Sequence, residues 1–355
     1  TSALVASAAG TFRYFGSVLE TLDDELTARR GSSLTMSVLE PVGVVGAITP
    51  WNSPIASDAQ KIAPALAAGT AVVLKPAEWT PLVSLALGRV LTASGLPPGL
   101  LSVLPGRGPV VGEAIVAHPT VGKVSFTGGT TTGRHLAHVA AEKLMPVSLE
   151  LGGKSPTVVL EDADLEAAIA GILFGIFSSS GQSCIAGSRL FVAEPLYDRF
   201  VAELAARTRA LRVGHGLDER TQVAPLVHTE HRDAVARHVE RACTDGARVL
   251  AGGERPTGPE YDAGAYYLPT VLDGLPNGAA ACQEEIFGPV LVALPFKDED
   301  DLVGQANDSV YGLACGIWTS DYRAAWRLAR RIEAGTVWVN TYKQFSISTP
   351  FGGMK

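Results

Sequence analysis

Residues 44–74, VVGAITPWNSPIASDAQKIAPALAAGTAVVL, carry the pattern that decides the fold. The apolar run Val44–Ile48 predicts a strand, and Ala71–Leu74 predicts a second one. Between them, Ile55–Ala68 has the apolar spacing of a helix and is followed by Gly69, a residue type that commonly ends helices. Two consecutive strands joined by a helix indicate a parallel sheet, so this stretch predicts one unit of an α/β fold.

The alternation of strands and helices continues to residue 151. The further predicted elements are helices at Pro81–Ser94, Val110–Ala117 and Thr131–Lys143, and strands at Leu101–Leu104, Val121–Phe126 and Val147–Leu151. Open parallel sheets bind ligands beyond the carboxyl ends of their strands. We therefore expect a Rossmann-like domain with helices on both faces and a binding site along that edge.

The pattern begins again after Gly153. It predicts strands at Thr157–Leu160, Leu190–Ala193, Val290–Leu294, Gly316–Trp318 and Thr336–Asn340, and helices at Leu165–Phe177, Leu196–Leu211 and Asp233–Asp245. A chain of 355 residues, 46% of them hydrophobic, exceeds the usual size of a single core. We predict a parallel-sheet domain in residues 1–20 and 41–152, a hairpin in residues 21–40, and a second α/β domain in residues 153–355.

Charge and cysteine usage argue against several classes of protein. The net charge is −7 without clusters of Lys and Arg, which is unlike a protein that binds nucleic acid or an anionic membrane. Cys184, Cys243, Cys282 and Cys315 are far apart and form no CxxC or Cys/His pattern, so we expect no metal site and a reduced, cytoplasmic protein. We also find no membrane-anchor run and no signal segment after Thr1.

Two residues, Cys184 and Glu150, have the types needed for a nucleophile and a base. Cys184 lies 34 positions after Glu150 and follows the small, polar run of residues 178–183. A lone cysteine is often only a small buried hydrophobic residue, but that polar run favours an accessible position. A thiol can attack a carbonyl carbon, and a carboxylate can activate the water that later cleaves the thioester.

These two segments and five others resemble motifs of one enzyme family in the order in which that family carries them. The other motifs are Pro50-Trp51-Asn52-Ser53-Pro54, Leu74-Lys75-Pro76-Ala77-Glu78, Phe126-Thr127-Gly128-Gly129 and Glu284-Glu285-Ile286-Phe287-Gly288-Pro289, and Pro350-Phe351-Gly352-Gly353 follows near the end of the chain. Along nearly all of its length the chain resembles the NAD(P)-dependent aldehyde dehydrogenase superfamily. The resemblance implies an NAD-binding first domain and a catalytic second domain.

The resemblance also assigns the catalytic roles. Cys184 is then the nucleophile that adds to the aldehyde carbon. Asn52 would share the resulting oxyanion with the Cys184 backbone N–H, although an asparagine before Ser-Pro is often only a turn residue. Glu150 would activate the hydrolytic water. Members that transfer the acyl group to coenzyme A typically lack this glutamate, so we expect the non-acylating branch, with a CoA-acylating semialdehyde dehydrogenase as an alternative.

The resemblance places NAD in the first domain, with NADP as a possible replacement. Gly128, Gly129 and Gly133 would hold the pyrophosphate at a helix N-terminus; otherwise they form a simple Gly-rich turn. Family members commonly carry serine where Gly129 stands, so we expect looser phosphate binding. Lys75 and Glu78 would bind the adenosine ribose. Without that role, Glu78 is a favourable charge before the helix at Pro81.

Other cofactor contacts implied by the resemblance come from both domains. Pro50, Trp51 and Leu151 would border the cofactor. Glu285 and Phe287 would hold the nicotinamide ribose and ring; by themselves they are more often a surface carboxylate and a core aromatic residue. The substrate is expected to be a small-molecule aldehyde, whose identity the sequence leaves open.

The resemblance extends to assembly. The segment of residues 21–40 corresponds to one that bridges subunits, so a homodimer or homotetramer is expected for the full-length form. The chain looks like a fragment that lacks an N-terminal segment and a C-terminal tail. A catalytically silent fragment with this fold is therefore the alternative to an active enzyme.

Overall fold

The structure is a computed structural model that describes residues 2–355. The chain divides into two compact units. The first runs to Leu151 and includes Ile347–Thr349, and the second comprises Gly152–Ser346 and Pro350–Lys355. None of the helices in the described part of the chain combines the length and apolar character needed to cross a bilayer.

The first unit alternates helices and strands. Its helices are α1 (Ser2–Leu19), α2 (Pro54–Ala67), α3 (Pro81–Ala93), α4 (Glu113–Ala117) and α5 (Thr130–Ala141). Its strands are β1 (Glu25–Leu26), β2 (Met36–Ser37), β3 (Val44–Ile48), β4 (Ala71–Lys75), β5 (Leu101–Val103), β6 (Val121–Thr127) and β7 (Val147–Glu150). A π-helical turn at Gly108–Gly112 precedes α4, so the predicted helix at Val110–Ala117 is regular only in its second half.

A five-stranded sheet in the order β5-β4-β3-β6-β7 forms the centre of the first unit. All of its neighbouring strands pair in parallel. Val45 and Ala47 pack on one face of this sheet and Ile48 and Val124 belong to the other hydrophobic cluster, so both faces are buried. Because all five strands run the same way, the segments that follow them emerge along one edge.

Residues 21–40 contain a short antiparallel pair of strands. Glu25 pairs with Ser37 and Leu26 pairs with Met36. Leu26, Leu34 and Met36 are each more than 60% exposed. Apolar side chains at such exposure on a two-stranded ribbon are unusual for a surface in contact with water.

The second unit repeats the strand–helix alternation around a larger sheet. Its strands are β8 (Pro156–Val159), β9 (Arg189–Ala193), β10 (Arg248–Ala251), β11 (Thr270–Asp273), β12 (Val290–Phe296), β13 (Ala314–Trp318) and β14 (Thr336–Val339). Its helices are α6 (Leu165–Phe177), α7 (Tyr197–Arg209), α8 (Thr229–Thr244), α9 (Ala280–Gln283), α10 (Glu299–Asn307) and α11 (Tyr322–Arg331). The sheet order is β10-β11-β12-β9-β8-β13-β14, and only β10 runs antiparallel to its neighbour.

Alternate residues of the central strands build two cores. Val158 and Phe191 belong to one hydrophobic cluster, whereas Val159, Leu190 and Val192 belong to another. Each of these side chains is fully buried. Burial on both faces explains why the strands appear in the sequence as continuous apolar runs.

The predicted fold class, a Rossmann-like parallel sheet plus a second α/β unit, is confirmed. Some element boundaries differ from the prediction. Helix α8 begins at Thr229 rather than Asp233, because His228 acts as its N-cap and accepts a hydrogen bond from the His231 N–H at 3.1 Å. Histidine is not among the usual capping residues, so no local signal marks this start.

Candidate active site

The carboxyl edge of the first sheet carries most of the predicted cofactor residues. Pro50-Trp51-Asn52 follow β3, Lys75 and Glu78 lie at the end of β4, Gly128 and Gly129 follow β6, and Glu150 and Leu151 end β7. The structure thus brings these segments to one edge of one sheet. This is the position at which open parallel sheets bind ligands.

Asn52 lies in the turn between β3 and α2. Pro54 occupies the first helical position, and the Ser57 N–H donates to the Ser53 carbonyl to start the helix. Asn52, like Pro50 and Trp51, is partly exposed. An amide side chain in this place can donate to a developing oxyanion.

Gly128 and Gly129 form a tight turn into α5, and Gly133 lies in the first turn of that helix. The Gly128 N–H donates to the Glu150 carbonyl at 3.0 Å, which fixes the turn to the end of β7. A Cβ at Gly128 would lie 2.5 Å from the Phe126 ring, and one at Gly133 would lie 2.4 Å from a Leu151 methyl group. Neither glycine tolerates a side chain without movement of its neighbour.

The start of α5 has the features of an anion site. The first N–H groups of a helix have no partner within the helix, and the helix dipole favours negative charge there. The buried Thr130 hydroxyl has no hydrogen-bond partner within residues 2–355. These groups are suited to a phosphate, so the pyrophosphate role implied by the family resemblance stays a prediction for this helix start.

Gly129 differs from the other two glycines, because its backbone has an ordinary φ of −66° and a Cβ there would meet nothing within 4 Å. Gly129→Ser is therefore expected to lower the Kd for NAD+ about 3- to 10-fold, since a hydroxyl at the helix start can donate to a phosphate oxygen. Gly129→Ala, which adds only the Cβ, is the matched control. Calorimetry on the three proteins measures the effect, and equal affinities for the Ser and Ala variants would contradict it.

Lys75 and Glu78 lie close together at the end of β4. The Lys75 ammonium is buried and donates to the Pro76 carbonyl at 2.8 Å. Burial lowers the pKa of Lys75, and the Glu78 charge opposes this shift. Glu78 is exposed, and its Oε1 accepts a hydrogen bond from the Gly108 N–H at 2.7 Å. That bond, which the sequence did not indicate, orients the carboxylate.

Glu150 is a partly buried carboxylate at the end of β7. Burial raises its pKa, and the nearby charge of Lys61 opposes the rise. Lys61, in α2, is itself buried and donates to the Ser125 hydroxyl at 2.9 Å. Burial lowers the pKa of Lys61 to about 8. A carboxylate with a raised pKa is suited to take up a proton near neutral pH.

Lys61 was missed by sequence reasoning. Its sequence signal is a single lysine within the small and apolar run of α2, where Ala59, Ile62 and Ala63 are all buried. A cation on the buried face of a helix is rare and needs a partner. Glu150 and Asp58 supply the opposing charges.

In the second unit, Cys184 follows α6 on a tightly turned loop. Ser179, Ser180 and Gly181 have φ values of 55°, 55° and 72°, which lie in the left-handed region. The Ser180 hydroxyl donates to the Ala224 carbonyl at 2.6 Å, and this bond fastens the loop. Cys184 is partly buried and packs against the cluster that contains Ile185.

The backbone around Cys184 is crowded. A Cβ at Gly153 would lie 2.1 Å from the Cys184 carbonyl oxygen, and one at Gly181 would lie 2.0 Å from that of Gly288. Arg189, five residues after the cysteine, is buried and donates to the carbonyls of Lys154 and Ala306. These close backbone approaches leave little room for the segment around Cys184 to shift.

Glu285 and Phe287 lie beside the same loop. Together with Gly153, Gly181 and Ser183 they line one small pocket. Glu285 accepts a hydrogen bond from the Gly153 N–H at 3.0 Å, and burial raises its pKa. Phe287 has a φ of 55°.

His231, which sequence reasoning also missed, supports the backbone of Phe287. Its Nε2 lies 2.8 Å from the Phe287 carbonyl oxygen and therefore donates to it. The two rings are in edge contact, with centroids 6.3 Å apart. Burial is the main cause of a lowered His231 pKa, which favours the neutral ring.

The predicted site residues are thus distributed over the two units. Asn52, Glu150 and the residues predicted to bind adenosine and phosphate belong to the first unit, whereas Cys184, Glu285 and Phe287 belong to the second. Each unit is built on an α/β sheet; the first contains a helix start suited to an anion, and the second contains a cysteine on a constrained loop.

Comparison with known proteins gives the family. The model of the Aldehyde dehydrogenase family matches residues 1–355. A betaine aldehyde dehydrogenase from Brucella anthropi is 42% identical over 350 residues, which cover 99% of this chain and 72% of that protein. The chain belongs to the aldehyde dehydrogenase family.

Solved structures agree with this assignment. HpcC from Thermus thermophilus is 46% identical with a TM-score of 0.96, over 99% of this chain and 69% of that one. The NAD+ complex of an aldehyde dehydrogenase from Bacillus cereus is 40% identical with a TM-score of 0.95, over 98% of this chain and 70% of that one.

Proposed function

We propose that this chain oxidises an aldehyde to a carboxylic acid with NAD+ as the hydride acceptor. The observation that carries the proposal is the position of Cys184, held on a left-handed loop beside the pocket that Glu285 and Phe287 line. Membership in the aldehyde dehydrogenase family supports the reaction class. The Bacillus cereus relative, solved with NAD+, supports the choice of cofactor.

The residues present fit NAD+. Glu78 would accept hydrogen bonds from the adenosine ribose next to Lys75. The start of α5 would hold the pyrophosphate, where the Thr130 hydroxyl lacks a partner in the described residues. Glu285 and Phe287 would hold the nicotinamide ribose and ring. When bound, NAD+ supplies the acceptor for a hydride.

The thiolate of Cys184 starts the reaction. Its sulfur forms a bond to the aldehyde carbon, and the electron pair of the C=O π bond moves to the oxygen. The Asn52 side-chain amide and the Cys184 backbone N–H are the proposed donors to that oxyanion. Re-formation of the C=O bond expels the hydride, and the acyl group remains on Cys184 as a thioester.

Glu150 completes the reaction as a general base. It takes a proton from a water molecule whose oxygen adds to the thioester carbon, after which the C–S bond breaks and the acid leaves. Because burial raises the Glu150 pKa, base catalysis is present above that raised pKa and is lost as the pH falls through it. Hydrolysis by Glu150 favours the non-acylating branch over transfer to coenzyme A.

A panel of aldehydes tests the reaction. We expect NADH absorbance to rise with each oxidisable aldehyde and the matching carboxylic acid to form in equal amount. Addition of coenzyme A should not change the product. A protein that binds NAD+ but oxidises no aldehyde would support the silent alternative instead.

Glu78→Gln tests the ribose assignment. Wild type is expected to prefer NAD+ over NADP+, because the 2′-phosphate would face the Glu78 carboxylate. Glutamine can still accept the Gly108 N–H bond but has no charge, so the preference should shrink about 10-fold. Calorimetry with both cofactors measures this, and a wild-type preference for NADP+ would show that Glu78 does not set the selectivity.

Assembly into a homodimer or homotetramer is part of the proposal. The exposed Leu26, Leu34 and Met36 on the β1–β2 segment support it, because burial of such side chains against a second copy would remove them from water. Light scattering on the purified chain measures the oligomeric state.

A further inference from the structure

Lys343, a cation close to the nucleophile, has no role in the mechanism above. It lies after β14, in a segment whose backbone is fixed on both sides. Before it, the Asn340 side chain accepts from the Thr319 N–H at 3.0 Å and donates to the Thr319 carbonyl at 2.8 Å. After it, the Trp338 indole N–H donates to the Gln344 carbonyl at 2.7 Å.

The Lys343 side chain points toward the loop that carries Cys184. Its ammonium donates to the Ser178 hydroxyl at 2.8 Å and lies 5.9 Å from the centroid of the Phe174 ring. Ser178 is the C-cap of α6 and lies six residues before Cys184. Burial lowers the pKa of Lys343 to about 8, and the charge of Cys184 opposes this shift. Near pH 7 the ammonium form still predominates.

The Lys343 ammonium has no carboxylate partner among the described residues. Within residues 2–355, no carboxylate oxygen lies within 4.0 Å of it. A partly buried cation without a carboxylate partner is costly. Within residues 2–355, two of its three N–H donors remain after the bond to Ser178. A ligand with a carboxylate would supply both the opposing charge and the acceptors.

Two exposed aromatic side chains are available for the body of such a ligand: Phe174 beside the Lys343 ammonium, and Phe345 two residues further along the chain. Phe174 is 52% exposed, and Phe345 is 58% exposed. The Phe345 ring makes edge contacts with Trp338 and Phe351, at centroid distances of 5.4 and 5.5 Å. The combination of aromatic side chains and a cation suits an aldehyde with an apolar chain that ends in a carboxylate.

We infer that Lys343 is a specificity-determining residue that selects aldehydes bearing a carboxylate, such as the semialdehydes of dicarboxylic acids. This inference rests on the proposed function of Cys184. It also separates the chain from its relative named betaine aldehyde dehydrogenase. Betaine aldehyde carries a quaternary ammonium, which the Lys343 ammonium would repel.

Turnover of matched substrates tests the inference. Succinic, glutaric and adipic semialdehydes are compared with butanal, pentanal, hexanal and betaine aldehyde. In Lys343→Gln, kcat/KM for the best semialdehyde is expected to fall about 10- to 100-fold, as for the loss of a hydrogen-bonded charge pair. The fall in kcat/KM for the matched neutral aldehyde should be at least tenfold smaller, and kcat/KM for betaine aldehyde should rise. Lys343→Arg should retain the preference, and Lys297→Gln, which removes an exposed lysine of the same unit, is the control.

Alkylation of Cys184 provides a readout that needs no turnover. Iodoacetate and iodoacetamide react with the same thiol but differ in charge. The rate of alkylation of Cys184 by iodoacetate divided by the rate with iodoacetamide, followed by mass spectrometry, should fall at least about threefold in Lys343→Gln. An equal fall in the alkylation rate with both reagents would overturn the inference and place Lys343 in thiol activation. An equal fall in kcat/KM for semialdehydes and neutral aldehydes would do the same. If no aldehyde is oxidised but the alkylation ratio still falls, the proposed function fails while the anion preference at Lys343 stands.

Discussion

Cys184→Ala is expected to reduce aldehyde-dependent NADH production at least about 1000-fold, because the covalent step has no other nucleophile. The Kd for NAD+ should change little, since the thiol is not among the proposed cofactor contacts. Stopped-flow absorbance and calorimetry measure the two quantities separately. The loss of one small partly buried group should leave the melting temperature nearly unchanged.

Cys243→Ala is the matched control, because Cys243 is exposed on α8. Cys282 and Cys315 are buried, so their alanine variants should lose stability rather than chemistry. An active Cys184→Ala enzyme would remove the assignment of the nucleophile. A Cys243→Ala protein as inactive as Cys184→Ala would do the same.

Glu150→Gln should separate the two halves of the reaction. Hydride transfer depends on Cys184 and Asn52, whereas hydrolysis depends on a base. A carboxamide fills the same space but cannot take a proton from water. The variant should release about one NADH per active site in a burst, followed by steady turnover about 100- to 10,000-fold slower than wild type. The acyl group on Cys184 should then be detectable by intact-mass spectrometry.

The pH dependence provides a second measure of Glu150. In wild type, the hydrolysis step should slow as the pH falls through the raised pKa of this carboxylate, and the burst amplitude should grow. In Glu150→Gln the steady rate should lose that dependence. Wild-type steady turnover without an acyl adduct would show that another group is the base. A missing burst would place Glu150 in the activation of Cys184.

The elements with a strong pattern could be predicted from the sequence. Strand Val44–Ile48 and helix Leu165–Phe177 have the predicted bounds, because a continuous apolar run or a capped apolar helix is a local signal. Strand β10 was not predicted. It lies at the edge of its sheet, and Arg248 and Val249 are exposed, so its composition resembles a loop.

Residues of the candidate site could be predicted only where a reactive side chain stands within a recognisable sequence motif. Cys184 and Glu150 stand in recognisable segments, and their roles stay predictions that the two variants above test. Lys61 and His231 act through residues far away in the sequence, Glu150 and Phe287. Such long-range pairing depends on the packing of whole elements, which no local pattern reveals. Lys343, 165 residues from Ser178, belongs to the same class.

The left-handed loop before Cys184 has a consequence for engineering this protein. Ser179 and Ser180 hold a conformation that costs a non-glycine residue about 1–2 kcal/mol. Glycine at the exposed Ser179 would relieve that cost in the folded chain but would also widen the range of positions open to the thiol. Selection for thermal stability alone would therefore favour substitutions in this loop that position the Cys184 thiol less well. Libraries designed to raise the melting temperature should keep residues 179–181 unchanged.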